Sequence, residues 1–118
     1  MAGPSLKLLV LKTAQVDRLR AFYQVLGVGL TEEKHGGGPV HYAGQVGDAV
    51  LEIYPLPGEG GAADTTTRLG FAVERLTEIV QALREGGTII ASAPRQTAWG
   101  LRAVVRDPDG RTVELSQS

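Results

Sequence analysis

The apolar positions of the chain follow the same order twice. Apolar runs at residues 6–11 and 69–73 each predict a buried strand. A helical pattern follows each run, because its apolar residues recur three and four positions apart. In the second half these residues are Leu76, Ile79, Val80 and Leu83. In the first half they are, less regularly, Val16, Leu19, Phe22, Tyr23 and Leu26. Glycines at 27 and 86–87 predict the helix ends, since glycine readily adopts the positive φ found there.

Three strand-like segments follow each predicted helix. They span 29–34, 40–43 and 49–54 in the first half, and 88–91, 101–106 and 112–116 in the second. The last two segments are joined by Asp-Pro-Asp-Gly at 107–110. Proline there suits the second turn position and glycine the left-handed one, which predicts a hairpin. Each half is therefore predicted to be a βαβββ module.

The two halves also match residue by residue at an offset of 60 positions. The matched pairs are Leu11 with Phe71, Val16 with Leu76, Leu19 with Ile79, Gly27 with Gly87, and Leu30 with Ile90. Prolines and glycines at 56–65 predict a linker between module one (6–55) and module two (66–117). We expect a single α+β domain over 1–118, in which two tandem modules form a curved mixed sheet. Its concave side would be a cup, with the helices on the outer face.

Alternation along the strands assigns their two faces. The residues predicted to face the helices are Leu51, Ile53, Val113 and Leu115. Their neighbours Glu52, Tyr54 and Glu114 then point into the cup, where a binding site is expected. The alternative is that the two glutamates are solvated strand residues, or partners of Arg68 in a structural ion pair.

His41 is a candidate site residue whose neighbours depend on the following turn. If the turn is Val46-Gly47, His41 lies opposite Glu52; if it is Gly47-Asp48, His41 faces Tyr54 and lies diagonal to Glu52. Both registers place the imidazole on the cup side. His41 is interpreted either as a group with a chemical role or as a histidine hydrogen-bonded to a neighbour. His35, next to three glycines, is expected to be exposed.

Trp99 is the only tryptophan and precedes the strand at 101–106. With a period of two it would share a face with Leu101, which predicts an aromatic and an aliphatic contact for an organic ligand in the cup. The alternative buries Trp99 in the core or in a subunit interface. Arg95 and Gln96 are expected on the preceding loop, within reach of an anionic ligand.

The charge balance limits the classes of partner that we expect for the chain. It has 118 residues, 12 basic and 13 acidic, with no cysteine and no basic run. A dedicated nucleic-acid surface is therefore not expected. The longest apolar run is far shorter than a bilayer requires, and residues 1–5 carry no charged leader. We expect a cytoplasmic protein without membrane contact.

Three segments resemble a known family. They are residues 17–27, Asp-Arg-Leu-Arg-Ala-Phe-Tyr-Gln-Val-Leu-Gly; 51–54, Leu-Glu-Ile-Tyr; and 106–115, whose Arg-Asp-Pro-Asp-Gly precedes Val-Glu-Leu. In this order, and with the duplication, they resemble the glyoxalase/bleomycin-resistance/extradiol-dioxygenase (vicinal oxygen chelate) superfamily. The resemblance implies the two-module fold. It does not select a function, because the family includes lyases, epimerases, dioxygenases and antibiotic-sequestering proteins.

The resemblance also implies four positions for the ligands of a divalent metal, on the first and fourth strand of each module. This sequence has Leu8, Glu52, Arg68 and Glu114 there. Leu8 offers no donor atom and Arg68 repels a cation, whereas a tight transition-metal site usually needs three or more protein ligands. We therefore expect no metal or other cofactor at the usual place.

Three functions are compatible with these residues, and whether the chain is an enzyme stays open. The first is binding of a small organic ligand, whose charge is expected to be negative because Arg68 faces it. The second is a metal-dependent lyase, isomerase or dioxygenase with a rearranged site formed by His41, Glu52 and Glu114. The third is a structural or regulatory dimer whose cup is filled by side chains. A homodimer is expected in all three, since the resemblance implies that modules pair to complete a cup. The sequence leaves open whether they pair within a chain or across two chains.

Overall fold

The computed structural model describes residues 3–58 and 61–118, and shows two βαβββ modules in tandem. The elements of module one are β1 (Leu8–Thr13), α1 (Val16–Leu26), β2 (Thr31–Glu33), β3 (His41–Val46) and β4 (Ala49–Pro55). Those of module two are β5 (Leu69–Val73), α2 (Leu76–Glu85), β6 (Ile90–Thr97), β7 (Gly100–Arg106) and β8 (Thr112–Gln117). The predicted α+β class and module order are confirmed. Within the predicted linker, Glu59 and Gly60 lie outside the described residues.

Each module builds its own four-stranded mixed sheet. The strand orders are β1-β4-β3-β2 and β5-β8-β7-β6. The first strand of each module pairs in parallel with the last one, and the other neighbours are antiparallel. The described chain divides into two compact units, Met1–Gln24 with Val28–Ala63, and Asp64–Ser118 with Val25–Gly27. No helix in residues 3–58 or 61–118 is long and apolar enough to cross a membrane.

One face of each sheet is covered and apolar. In module one Leu51 and Ile53 are buried, and the guanidinium of Arg20 on α1 lies 4.5 Å from the ring centre of Tyr42 on the same face. In module two Val113 and Leu115 are buried where α2 packs on the sheet. We call the opposite side of each sheet its open face.

Both helices end in the same way, which confirms the repeat at the level of single hydrogen bonds. Gly27 has φ 114° and Gly87 has φ 90°. The amide after each glycine returns to the helix: Val28 N donates to Tyr23 O at 3.2 Å, and Thr88 N donates to Leu83 O at 2.9 Å. This closing bond satisfies a carbonyl that the helix end would otherwise leave unpaired.

Several strand boundaries differ from the prediction, and β6 differs most. The first segment after the helix of module two was predicted at 88–91, but β6 continues to Thr97, so Arg95 and Gln96 are strand residues rather than loop residues. Pro94 lies within β6, which is an edge strand, where a proline breaks no ladder. The pairing with β7 shifts between Ser92 and Arg95, the kind of irregularity that accommodates proline in a sheet.

The β7–β8 hairpin closes around buried charges. The side chains of Asp107 and Arg111 are almost fully buried and lie 3.0 Å apart, and Asp109 contacts the same guanidinium at 3.0 Å. Asp107 Oδ1 also accepts from the backbone N–H groups of Asp109 and Arg111. Burial alone would lower the pKa of Arg111, but its bonds with Asp107 and Asp109 raise it above the usual value. The predicted turn is therefore confirmed, with an ion cluster that fixes its geometry.

Candidate functional site

The open face of module one carries a compact polar cluster. The hairpin turn is Gly47-Asp48, because Val46 pairs with Ala49. Of the two registers left open by the sequence, this is the one that sets His41 against Tyr54: Tyr42 pairs with Ile53, and Ala43 with Glu52. On the other side of β3, Glu33 of β2 lies directly opposite His41.

His41 is buried, with 1% of its surface exposed. Its Nδ1 lies 3.2 Å from the carbonyl oxygen of Pro39. Because a carbonyl can only accept, Nδ1 carries a hydrogen and donates it. In the neutral ring Nε2 is then left with a lone pair. This nitrogen faces Glu33 Oε1 at 3.5 Å and Glu52 Oε2 at 3.9 Å.

The phenol ring of Tyr54 stacks on the His41 imidazole. The ring centres are 4.0 Å apart and the planes differ by 9°. Tyr54 Oη is 3.2 Å from Nε2, but in a stacked pair this vector is steep to the imidazole plane, so the in-plane lone pair does not point at the hydroxyl. We therefore read this contact as packing rather than as a directed hydrogen bond. Partial burial, and then the charges of Glu52 and Glu33, raise the pKa of Tyr54, so its hydroxyl keeps its proton at neutral pH.

Two residues of this cluster, Glu33 and His35, were not predicted from the sequence to belong to it. Glu33 ends β2, and His35 follows two residues later, with its Nε2 3.4 Å from Glu33 Oε1. The His35 side chain is exposed as expected, but its ring centre lies only 5.2 Å from that of His41. The signal available was the short glycine-rich loop, which returns β3 beside β2 and so brings residues 33 and 41 together.

The open face of module two is dominated by arginines. Glu114 lies 3.3 Å from Arg68 and 3.6 Å from Arg102, so the ion pair with Arg68 that the sequence left open as an alternative is present. Arg95 on β6 pairs with Arg102 on β7, an arrangement of like charges that costs stability. Arg106 lies four residues further along the same face of β7, opposite Thr112, and donates to Thr112 Oγ1 at 3.4 Å and to Gly110 O at 3.2 Å. This described face therefore carries four arginines, two of which contact the carboxylate of Glu114.

The prediction that Leu101 points into the site is wrong. In β7, Ala103 pairs with Leu115 and Val105 with Val113, which places odd-numbered β7 residues on the covered face. Leu101 belongs to this set, and the open face carries Arg102, Val104 and Arg106 instead. Trp99 does not share a strand face with Leu101, because it lies in the turn between β6 and β7. Its surface is 83% exposed, and its amide donates to Thr97 Oγ1 at 3.1 Å.

The residues at the four positions that the resemblance assigns to a metal are poorly suited to bind one. In module one Leu8 has no donor atom, and in module two Arg68 lies against the carboxylate of Glu114. The charge of a carboxylate that is paired with two guanidinium groups is largely neutralised, so the carboxylate attracts a cation only weakly. The residues present at these positions do not fit the metal.

Comparison with known proteins supports the fold. The family model "Glyoxalase/Bleomycin resistance protein/Dioxygenase superfamily" matches residues 5–115. No curated protein sequence matches the chain.

Solved structures with the same fold cover nearly the whole chain. TnmS3, an antibiotic binding protein from Streptomyces sp. CB03234, is 23% identical with a TM-score of 0.72, over 99% of this chain and 98% of that one. VPC_CASS1, from the mobile metagenome of V. Pseudocholerae, is 26% identical with a TM-score of 0.66, over 99% and 96%. The oxidase ChaP-H2 is 16% identical with a TM-score of 0.77, over 99% and 95%. A binding protein and an oxidase thus share this architecture, so the function of this chain has to be argued from its own residues.

Proposed function

This chain belongs to the Glyoxalase/Bleomycin resistance protein/Dioxygenase superfamily, and within it we propose that the chain binds a small anionic organic ligand without the usual metal. The observation that carries the proposal is the arginine-rich open face of module two. Arg95 and Arg102 are held opposite one another on paired strands. A fold that retains such a repulsion gains from it when an anion lies between or above the two guanidinium groups.

The chemistry of the face indicates the ligand class. Guanidinium groups form paired hydrogen bonds with the oxygens of a carboxylate, phosphate or phenolate. Glu114 compensates part of the charge of Arg68 and Arg102, whereas Arg95 has no carboxylate among the ion pairs of the described residues. Arg106 has none there either, although it donates to Gly110 O and Thr112 Oγ1. These pairs are solvent-accessible, so each contributes little to stability, about 0–1 kcal/mol. The arginines are thus more readily explained by binding than by folding.

We include an exposed aromatic residue in the proposed site. Trp99 follows β6 directly, at the end of the hairpin whose strands carry Arg95 and Arg102. An exposed indole supplies a large apolar surface for the organic part of a ligand. In module one the proposed contacts are His41, Glu52 and Tyr54.

Binding is tested by titration with naphthalene-2-carboxylate and its neutral carboxamide, followed by calorimetry and by Trp99 fluorescence. We expect the carboxylate to bind at least about tenfold more tightly, a difference of about 1.4 kcal/mol. Arg102→Gln should remove that preference, because it deletes a central guanidinium. The matched control is Arg84→Gln, which removes an exposed arginine from α2 of the same module. Equal affinity for both probes, or equal losses in both variants, would contradict the proposal.

The rearranged enzyme site is a weaker candidate. His41 and Glu52 do lie together in module one, 3.9 Å apart. The third member, Glu114, is already engaged by two arginines. We therefore favour binding over metal-dependent turnover at those three residues.

The proposed molecule is a cytoplasmic homodimer. Its support is the edge strand β1, which leaves Leu8 and Val10 52% and 37% exposed on the open face of module one. Apolar groups on a sheet edge are commonly covered by a partner.

A further inference from the structure

Three donor groups converge at one end of the open face of module one. Glu33, His35 and His41 each offer a ligand atom, and these atoms all lie within 4.8 Å of one another. Glu33 and His41 are cross-strand neighbours on β2 and β3, so the sheet fixes their separation. His35 stands on the connecting loop, where Gly38 N donates to His35 O at 2.9 Å and closes a tight turn. None of the three occupies the positions at which the superfamily resemblance places a metal.

The contacts of His41 leave one ring nitrogen suited to bind a metal ion. Because Nδ1 donates its hydrogen to Pro39 O, Nε2 of the neutral ring offers a lone pair. The carboxylate oxygens of Glu33 and Glu52 lie 3.5 and 3.9 Å from this nitrogen. The ring is buried, so water screens these charges little. A metal ion between Nε2 and Glu33 would be bound by both.

The spacing of the donors suits a metal ion. Zinc binds imidazole nitrogen and carboxylate oxygen at about 2.0–2.2 Å, so two ligands in a tetrahedral shell are about 3.4 Å apart. Glu33 Oε1 lies 3.4 Å from His35 Nε2 and 3.5 Å from His41 Nε2. Rotation of the exposed His35 side chain is enough to adjust the third separation.

The surroundings of the cluster also suit a metal ion. The Nδ1–H bond from His41 to a backbone carbonyl is the outer contact that orients metal-bound histidines in general. Glu52 adds a second negative charge close to the cluster without being one of the three donors.

We propose that Glu33, His35 and His41 bind one divalent transition-metal ion, of the kind that accepts two imidazoles and a carboxylate. Zinc is the reference ion, and iron(II), cobalt(II) and nickel(II) fall in the same class. The three protein ligands leave a coordination position for water. The proposal is independent of anion binding by module two, since it involves no residue of that module.

The test uses the full chain, freed of metal by chelation and titrated with zinc chloride. Calorimetry gives the affinity, and nitrogen NMR of the imidazoles reports which ring atoms take the metal. His35→Ala and Glu33→Gln remove one ligand each at accessible positions, so the fold should persist; thermal melting verifies this. The matched control is Glu32→Gln, the neighbouring glutamate, which pairs with Tyr42 and points to the other face of β2. Glu52→Gln tests the earlier set of His41, Glu52 and Glu114.

The expected result is stoichiometric zinc bound through Nε2 of His35 and His41. Affinity should fall at least about tenfold in both ligand variants and stay unchanged in Glu32→Gln. In Glu52→Gln it should fall less than in either ligand variant, because Glu52 adds charge but no donor atom. The proposal is overturned if the chain binds no zinc. It is also overturned if binding survives in His35→Ala and Glu33→Gln, or is lost only in Glu52→Gln. A failure here leaves the naphthalene-2-carboxylate result unaffected, so the two proposals can fail separately.

Discussion

At the scale of single residues, the orientation of the His41 imidazole determines which groups meet on the open face of module one. Pro39 accepts from His41 Nδ1, and the opposite nitrogen is therefore turned toward carboxylates. Tyr54 covers the ring face and shields it from water. A change of charge on Glu33 or Glu52 therefore alters the electrostatic environment of both the His41 imidazole and the Tyr54 phenol.

The phenol of Tyr54 gives the first prediction at this scale. Its pKa is raised, first by partial burial and then by the carboxylates of Glu52 and Glu33. A raised pKa means that the folded state disfavours the phenolate, so this contribution to stability is complete below pH 10 and is lost as pH rises through the folded value. The difference in absorbance at 295 nm between the parent chain and Tyr54→Phe isolates the titration of this residue. Its midpoint should lie above 10, and in Glu52→Gln it should be lower.

An unshifted midpoint in Glu52→Gln would show that burial alone sets the pKa of Tyr54. A midpoint below 10 in the parent chain would contradict the arrangement of carboxylates around the ring. Tyr42→Phe is the matched control, because Tyr42 lies on the covered face of the same sheet.

The sequence could predict part of this site and not the rest, for physical reasons. Period-two alternation suffices to place Glu52, Tyr54 and Glu114 on one side of their strands. His41 required the turn, and a one-residue difference in turn position decides whether it faces Glu52 or Tyr54. His35 could not be placed, because a glycine-rich loop has no periodicity from which a direction can be read. Leu101 was assigned to the wrong face because the apolar Trp99 was taken to extend its strand.

At the scale of elements, β3 runs unusually close to the segment that follows α1. A methyl group added to Gly44 would lie 2.8 Å from the carbonyl oxygen of Gly29 and 2.9 Å from a methyl of Val28. Because one of these atoms is backbone, the contact cannot be relieved by rotating a side chain. The position therefore requires glycine for close approach rather than for an unusual backbone angle.

Gly44→Ala is accordingly expected to lower the free energy of unfolding by about 1–3 kcal/mol, as overpacking typically does. The control is Gly29→Ala, whose new methyl group meets nothing within 4 Å. Glycine-to-alanine changes without strain are neutral or stabilise by about 0.4–1 kcal/mol. Urea unfolding of both variants measures the difference. Equal stabilities would show that β3 can move away from Gly29 at no cost.

The elements also show where local pattern fails. The strand at 69–73 was predicted from its apolar run with the bounds that the structure shows. The end of β6 was not predicted, because residues 92–97 contain no apolar run and Pro94 is tolerated only because β6 lies at the sheet edge. Whether a strand lies at the edge of a sheet depends on how all the strands pair, so it cannot be predicted from a short stretch of sequence.

At the scale of the whole molecule, a net charge of −1 does not show how the charges are distributed. The open face of module one carries Glu33 and Glu52 together with Lys12, and that of module two carries four arginines and Glu114. In the two proposals made above, each module has its own ligand class, a cation in one and an anion in the other. A net count adds all these charges together, so it could not indicate either proposed site.

The proposed single domain and homodimer make one prediction together. A module of roughly 50 residues seldom buries enough apolar surface to be stable alone. We therefore expect one cooperative transition in scanning calorimetry, with equal calorimetric and van't Hoff enthalpies for the folding unit. If two chains associate, the midpoint should rise with protein concentration by mass action. Two separate transitions would contradict the single domain, and a midpoint that is independent of concentration would contradict the dimer.

The buried cluster of Asp107, Asp109 and Arg111 bears on how this protein can evolve. It fixes the β7–β8 turn from within, and the covered face fixes the register through Val105 with Val113 and Ala103 with Leu115. The register of the same two strands is therefore fixed without their open-face side chains. Specificity on this surface can be rewritten by selection, one side chain at a time, while the scaffold beneath it stays constant.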